Sequence, residues 1–238
     1  AIGMTLDNSI VVIESIDLVT ANSSVLYGDG ALAGVLQIRT RTPGDEPQAT
    51  ASGDVRERGQ YQPELTVSGR SGAVEGFAAG RYLRSQGWNV ADSFDATGVE
   101  NGNLRENAER EQGSFFAKLG FDAGESARVG LLVDVRKGEF GVPPNTVDDP
   151  ADRFASPTRY ERVEDFEGVS AQLSGQLEPD GPFSLRSWAY VNRQTEDRRR
   201  YDDATFATLA SNGSFTLDDE TLITGGGSGI GLAIATRL

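Results

Sequence analysis

Apolar and polar residues alternate along much of the middle of the chain, and a period of two is what a strand with two unlike faces produces. From Ala127 to Arg136, one face carries Ala127, Val129, Leu131, Val133 and Val135, and the other Arg128, Gly130, Leu132, Asp134 and Arg136. Only Leu132 breaks the polar face. Residues 169–177 repeat the pattern, with Val169, Ala171, Leu173, Gly175 and Leu177 against Ser170, Gln172, Ser174 and Gln176. In 115–122, Phe115, Ala117, Leu119 and Phe121 oppose Phe116, Lys118, Gly120 and Asp122. Segments 49–56, 62–70 and 73–84 alternate more weakly, and in 183–194 the face that carries Trp188 and Tyr190 stays open.

The connections between these segments differ in length. Gly69-Arg70-Ser71-Gly72, Asp122-Ala123-Gly124-Glu125-Ser126 and Glu178-Pro179-Asp180-Gly181-Pro182 read as tight turns. By contrast 85–111, 138–164 and the stretch after Thr195 are long, polar and rich in Asp, Asn and Arg. Short turns at one end of a sheet and long loops at the other, with ten-residue dyad-repeat strands, form the pattern of a bacterial transmembrane barrel. A soluble antiparallel sandwich also alternates in this way, so the pattern by itself leaves both open.

Upstream, residues 10–41 read as a strand-and-turn unit. An apolar run and an alternating segment through Val19 lead to Tyr27-Gly28-Asp29-Gly30-Ala31-Leu32-Ala33-Gly34 and a second strand, Val35-Leu36-Gln37-Ile38-Arg39. Thr42-Pro43-Gly44-Asp45-Glu46-Pro47 follows as a linker, and a boundary is placed there.

Composition narrows the function classes. Hydrophobic residues make up 37%, and 29 glycines accompany many Asp, Asn and Ser residues, a mixture that suits short strands and turns. The net charge of −14 opposes phosphate attraction over most of the surface, so no nucleic acid is expected as a partner. The chain has no cysteine and no histidine, which removes disulfides, thiolate and imidazole metal sites and the His-based triad. The apolar run Ile10–Ile13 is far shorter than the ~20 residues of a spanning helix, so a membrane role must use strands. The chain opens at Ala1 without a signal-peptide pattern and reads as a mature product or an excised piece.

The stretch Ile13-Glu14-Ser15-Ile16-Asp17-Leu18-Val19, followed by Asn22-Ser23-Ser24-Val25-Leu26-Tyr27-Gly28-Asp29-Gly30-Ala31-Leu32-Ala33-Gly34-Val35-Leu36-Gln37-Ile38-Arg39-Thr40-Arg41, resembles the end of the plug of TonB-dependent outer-membrane receptors. There an "IExIEV" strand leads to a "YGxGAxGGVINIxT" turn and strand just before the barrel begins. Ala33 stands where the family usually has Gly, which crowds the turn slightly. The resemblance implies a plug filling a barrel of about 22 strands, a Gram-negative outer-membrane location, TonB as energy partner, surrounding outer-membrane lipid, and uptake of a scarce nutrient such as a ferric siderophore. It implies no catalytic residue and no cofactor. The expected fold is mainly β: the end of a plug domain, an incomplete antiparallel transmembrane β-barrel of about seven strands, and a short C-terminal strand-turn-helix. In residue terms, 1–42 is the C-terminal part of the plug, 48–212 the partial barrel and 218–238 a truncated Rossmann-like βα start.

That last segment rests on a second resemblance. Thr224, Gly225, Gly229 and Gly231 match the TGxxxGxG turn that opens short-chain dehydrogenases/reductases, and Leu232-Ala233-Ile234-Ala235 would continue as its helix. The resemblance implies a cofactor pyrophosphate on Gly225, Ser228, Gly229, Ile230 and Gly231. A lone strand, turn and helix gives a dinucleotide no crevice, so no NAD or NADP binding is expected. The alternative reading is an NAD(P)-dependent dehydrogenase segment or fusion, with receptor sequence meeting dehydrogenase sequence between Ser211 and Asp218.

Two further groups carry possible chemistry. Arg198-Arg199-Arg200, beside Tyr201-Asp202-Asp203 in the stretch read as a loop, is a candidate patch for an anionic ligand. Asp148-Asp149-Pro150-Ala151-Asp152 could attract Ca²⁺, but it lacks the spacing and glycine of an EF-hand loop and reads better as a hydrated loop, so no metal is assigned.

Overall fold

The computed structural model describes residues 12–19, 35–56, 59–154, 156–178, 184–226 and 234–237. β1 (Ile13–Val19) and β2 (Val35–Thr40) pair antiparallel as a two-stranded sheet. The second sheet holds β3 (Gln48–Arg56), β4 (Gln60–Ser71), β5 (Val74–Ser85), β6 (Arg110–Asp122), β7 (Ala127–Val142), β8 (Tyr160–Leu177), β9 (Leu185–Tyr201), β10 (Phe215–Gly226) and β11 (Ile234–Arg237). Each strand pairs antiparallel with its sequence neighbours, so the sheet is an up-and-down meander without crossovers. It is open, with β3 and β11 at its edges. Gly72 and Gly124, in the left-handed region at φ 58° and 81°, lie in two of the tight turns.

The seven alternating segments of the sequence correspond to β3 through β9, and β10 and β11 extend the sheet beyond them. Three expectations change. β7 runs on to Val142 and β8 starts at Tyr160, so the loop read as 138–164 shrinks to 143–159. β9 continues to Tyr201, so Arg198, Arg199 and Arg200 belong to a strand and not to a loop. In both places charged residues (Lys137, Glu139, Asp165, Glu167, Asp197, Arg199) stand on the face that is apolar lower down, so the alternation is lost while the backbone ladder continues. At the C-terminus, Ile234–Arg237 is a strand paired with Thr221–Thr224 where a helix was expected. Tertiary pairing outweighs helix propensity there: β10 is already laddered to β9 over twelve pairs and offers an open edge, and Ile234 and Thr236 are β-branched. The glycine turn 27–34, residues 179–183, and Ser228, Gly229, Ile230 and Gly231 lie outside the described residues.

Register sorts the side chains into two surfaces. Gly76, Leu119, Leu131 and Leu173 lie side by side in one row, and Ala78, Ala117, Val133 and Ala171 in the next. The intervening row, Phe77, Lys118, Leu132 and Gln172, faces the other way and continues to Tyr190. Trp188, opposite Ser174, shares this second face, which resolves the orientation of both aromatics. Val12, at the entry to β1, packs on that face against Phe77, Ala79 and Phe116, with Ile13 and Leu132 alongside. The Phe77 and Phe116 rings meet edge to face at 6.1 Å, a geometry worth about 0.5–1.5 kcal/mol beyond burial.

Candidate functional site

The face opposite Val12 is an exposed apolar belt. Leu119, Leu131 and Leu173 are 51%, 41% and 54% exposed, although each sits mid-strand between paired neighbours. Phe115, Phe121, Val129, Val169 and Leu177 extend the same surface. From Ala127 to Val135 it runs about 26 Å along the strand, of the order of the ~25 Å apolar band of an outer-membrane barrel. Beyond it the same face turns polar at Lys137, Glu139 and Glu167, with Tyr61 and Tyr82 stacked at 5.7 Å near the transition.

The polar face carries a charge cluster at the short-turn end. Four consecutive strands, β4 to β7, each contribute one residue: Arg70, Glu75, Asp122 and Arg128. Glu75, only 4% exposed, accepts hydrogen bonds from Arg70 at 2.6 Å and from Arg128. Arg128 also reaches Asp122 at 2.7 Å, and Arg70 approaches it at 3.5 Å. A Cβ at Gly120 would lie 2.8 Å from Arg128 Nη2 and 2.9 Å from Glu75 Cγ, so the glycine is needed for the cluster to close. Further up, Arg136 pairs with the buried Asp134 at 2.9 Å. A recess of about 410 Å³ opens beside the cluster, between Thr40 of β2, Lys118, Gln172 and Trp188.

At the long-loop end, polar bonds of long sequence separation join three loops. Asn107, buried and at φ 52°, donates to Val142 O at 2.8 Å and Glu161 O at 2.7 Å, and its Oδ1 accepts from Arg162 Nε at 2.9 Å. Asn is among the few residues that tolerate this conformation. Arg162 also pairs with Glu109 and lies 4.4 Å above the Phe206 ring, which meets Tyr160 and Tyr201 edge to face. The buried Glu100 is held by Arg105, which donates in turn to Pro144 O. A Cβ at Gly141 would meet Asn107 O at 2.2 Å, so only glycine lets the 86–109 loop lie this close to β7. Burial and the hydrogen bond to Glu164 raise the Tyr201 phenol above its ordinary value. The Ser156 hydroxyl, then Thr158, hold Asp148 below the ordinary carboxylate value.

The residues singled out in sequence are dispersed. Alternation along β9 puts Arg198 and Arg200 on one face and Arg199 on the other, dividing the run. Arg198 pairs with Glu196 at 3.0 Å and Glu161 at 3.7 Å, and Arg199 with Asp197 at 3.0 Å. Gly225 lies in β10, opposite Trp188. In the acidic loop, Asp149 and Asp152 accept from backbone N–H groups of Ala151 and Phe154, both at 2.9 Å. Among the described residues no three Asp or Glu side chains gather as a cation site. The sequence reading missed the buried Glu75, Asn107 and Glu100. Their signal was weak, because a polar residue at an inward position looks the same whether it meets water or a partner.

No protein-family model matches the chain, and no curated protein does. Among solved structures, the FrpB iron transporter from Neisseria meningitidis (F3-3 variant) is similar in fold, with a TM-score of 0.64 and 17% identity. The match covers 91% of this chain and 34% of that one, so the chain spans about a third of the length of the protein it resembles. The sheet thus has the fold of a partial β-barrel.

Proposed function

We propose that the chain is part of a TonB-dependent outer-membrane receptor for a scarce nutrient such as a ferric siderophore. In this reading 1–42 is the end of the plug and 48–212 the partial barrel; the chain is not an enzyme. One observation carries it: an antiparallel meander with an exposed apolar belt on one face receives the β1 and β2 sheet, through Val12, on the other. That is the arrangement of a barrel wall with lipid outside and plug inside. The fold likeness to an iron transporter supports the same reading. TonB would act on the plug, and the cargo would first meet the loops carried by β5 to β9.

Membrane insertion into lipid vesicles tests it. Leu173→Arg places a charge on the belt and should lower stability in the bilayer by roughly 2–4 kcal/mol, blocking flotation with the vesicles, whereas Gln172→Arg on the neighbouring inward position should be tolerated. In a soluble sandwich the face of Leu173 would be packed in a core, and the wild type would stay in the aqueous fraction without floating; that result would overturn the proposal. TonB-dependent uptake of a labelled ferric siderophore by cells making the whole receptor tests the transport step.

A further inference from the structure

The apolar belt is not uniform. Across β3 to β7 it holds a shallow groove of about 730 Å³. Gly80 and Gly113 form its floor, Leu65, Tyr82 and Phe115 its walls, and Lys137 closes it toward the long loops. Register explains the shape: Leu65, Gly80 and Phe115 form one outward row, and Tyr82, Gly113 and Lys137 the next. The floor glycines have no conformational or packing reason to be glycine. Neither has a positive φ, and a Cβ at either would meet nothing within 4 Å, unlike Gly141. Glycine within a strand weakens it and often marks the close approach of another molecule.

We infer that the groove holds one acyl chain of a membrane lipid whose phosphate is met by Lys137. This rests on the proposed membrane reading. The occupant follows from position and charge. The groove is almost wholly apolar and lies within the belt, so a hydrocarbon chain fills it better than a polar partner. Its open end reaches the row where the surface becomes polar, at the depth of a headgroup, next to the stacked Tyr61 and Tyr82. The Lys137 side chain is 66% exposed and only loosely engaged, by Asp165 at 3.7 Å. Glu111 and Glu139 stand one row further toward the loops, and Asp165 and Glu167 lie on the β8 side of Lys137, away from the groove. A phosphate at Lys137 therefore displaces a weak exposed pair and lands on the groove side of these carboxylates.

The test uses the full chain in vesicles that mix dimyristoyl phosphatidylglycerol with phosphatidylcholine, with flotation as the readout of insertion and native mass spectrometry of the extracted protein as the readout of retained lipid. The wild type should retain one phosphatidylglycerol. Gly113→Leu or Gly80→Leu, which fill the groove without strain, should float normally and weaken that retention roughly tenfold. Lys137→Gln should reduce the preference for phosphatidylglycerol over phosphatidylcholine roughly threefold, and Ala171→Leu, on the belt outside the groove, should change nothing. Unaltered retention in Gly113→Leu with intact flotation overturns the lipid groove alone. A chain dimer broken by Gly113→Leu, with no lipid retained, gives the groove to a second copy and overturns it as well. Failure of the wild type to float overturns the membrane reading, and the groove with it.

Discussion

The two ends of the sheet solve the same problem, burying charge on a wall of strands, in opposite ways. At the short-turn end Arg70, Glu75, Asp122 and Arg128 come from adjacent strands and meet because register sets Arg70 opposite Glu75 and Asp122 opposite Arg128, in neighbouring rows on one face that close across Gly120. At the long-loop end Asn107 reaches Val142 and Glu161, 35 and 54 residues away, and a loop must fold back for any of these bonds to form. The first network is part of the ladder and should break only when the sheet does. The second is a clasp between loops and should open on its own.

The largest effect is expected from Glu75→Ala. It leaves Arg70 and Arg128 facing each other without their shared carboxylate, and should lower the global unfolding free energy by about 3–5 kcal/mol, read from urea unfolding. Removing Arg128 as well should restore part of it. A loss confined to one loop would show that the turn-end cluster is not integral to the sheet.

Next is Asn107→Ala, which removes three hydrogen bonds and puts in the left-handed region a residue that tolerates it less well than Asn. It should cost about 2–3 kcal/mol locally. Cleavage within 86–109 by added protease should accelerate while the global unfolding midpoint stays in place. Movement of that midpoint would merge the two regions into one cooperative unit.

Phe206→Leu takes the ring from under Arg162 and from between Tyr160 and Tyr201, a change of about 1–2 kcal/mol. Hydrogen exchange in 202–214 should quicken, with 86–109 affected less.

The smallest effect is in pH. The folded value of Asp148 lies below its unfolded value, so its contribution is present above the unfolded carboxylate value and is lost as pH falls through the folded one. Tyr201 has the opposite sign: its folded value is raised, so its contribution is present below the unfolded phenol value and is lost as pH rises through the folded one. Proteolysis of 143–159 should therefore increase in acid, and Ser156→Ala should remove most of that dependence. A pH-independent rate in the wild type would show that Asp148 does not hold the loop.

How much of this was legible in the sequence follows from what each face touches. The strand faces of 127–136 and 169–177 could be read because one side is apolar and the other mostly polar, and the structure keeps Leu131 exposed and Asp134 buried. Past Val135 that contrast ends, so 138–142 and 160–164 read as loop although the ladder continues. Glu75 and Asn107 were invisible because their burial depends on partners from other strands and loops. The C-terminal motif misled for the converse reason. Its local pattern suits a helix after a glycine turn, while the described residues 234–237 take up the edge that β10 offers.

β7 and β8 hold 16 and 18 residues, well beyond the ~9–11 that cross a bilayer. At ~3.3 Å per residue β8 is a beam of about 60 Å, laddered to β7 and β9 along its length. Because the strand is continuous, the long loops ride on its far end as on a lever. A tilt of about 3° at the base would carry the clasp of Asn107 and Arg162 sideways by about 3 Å, as far as a hydrogen bond is long. Small motions at the foot of the wall are thus amplified at the loops, and a displacement of the loops is returned, reduced, to the charge cluster at the foot.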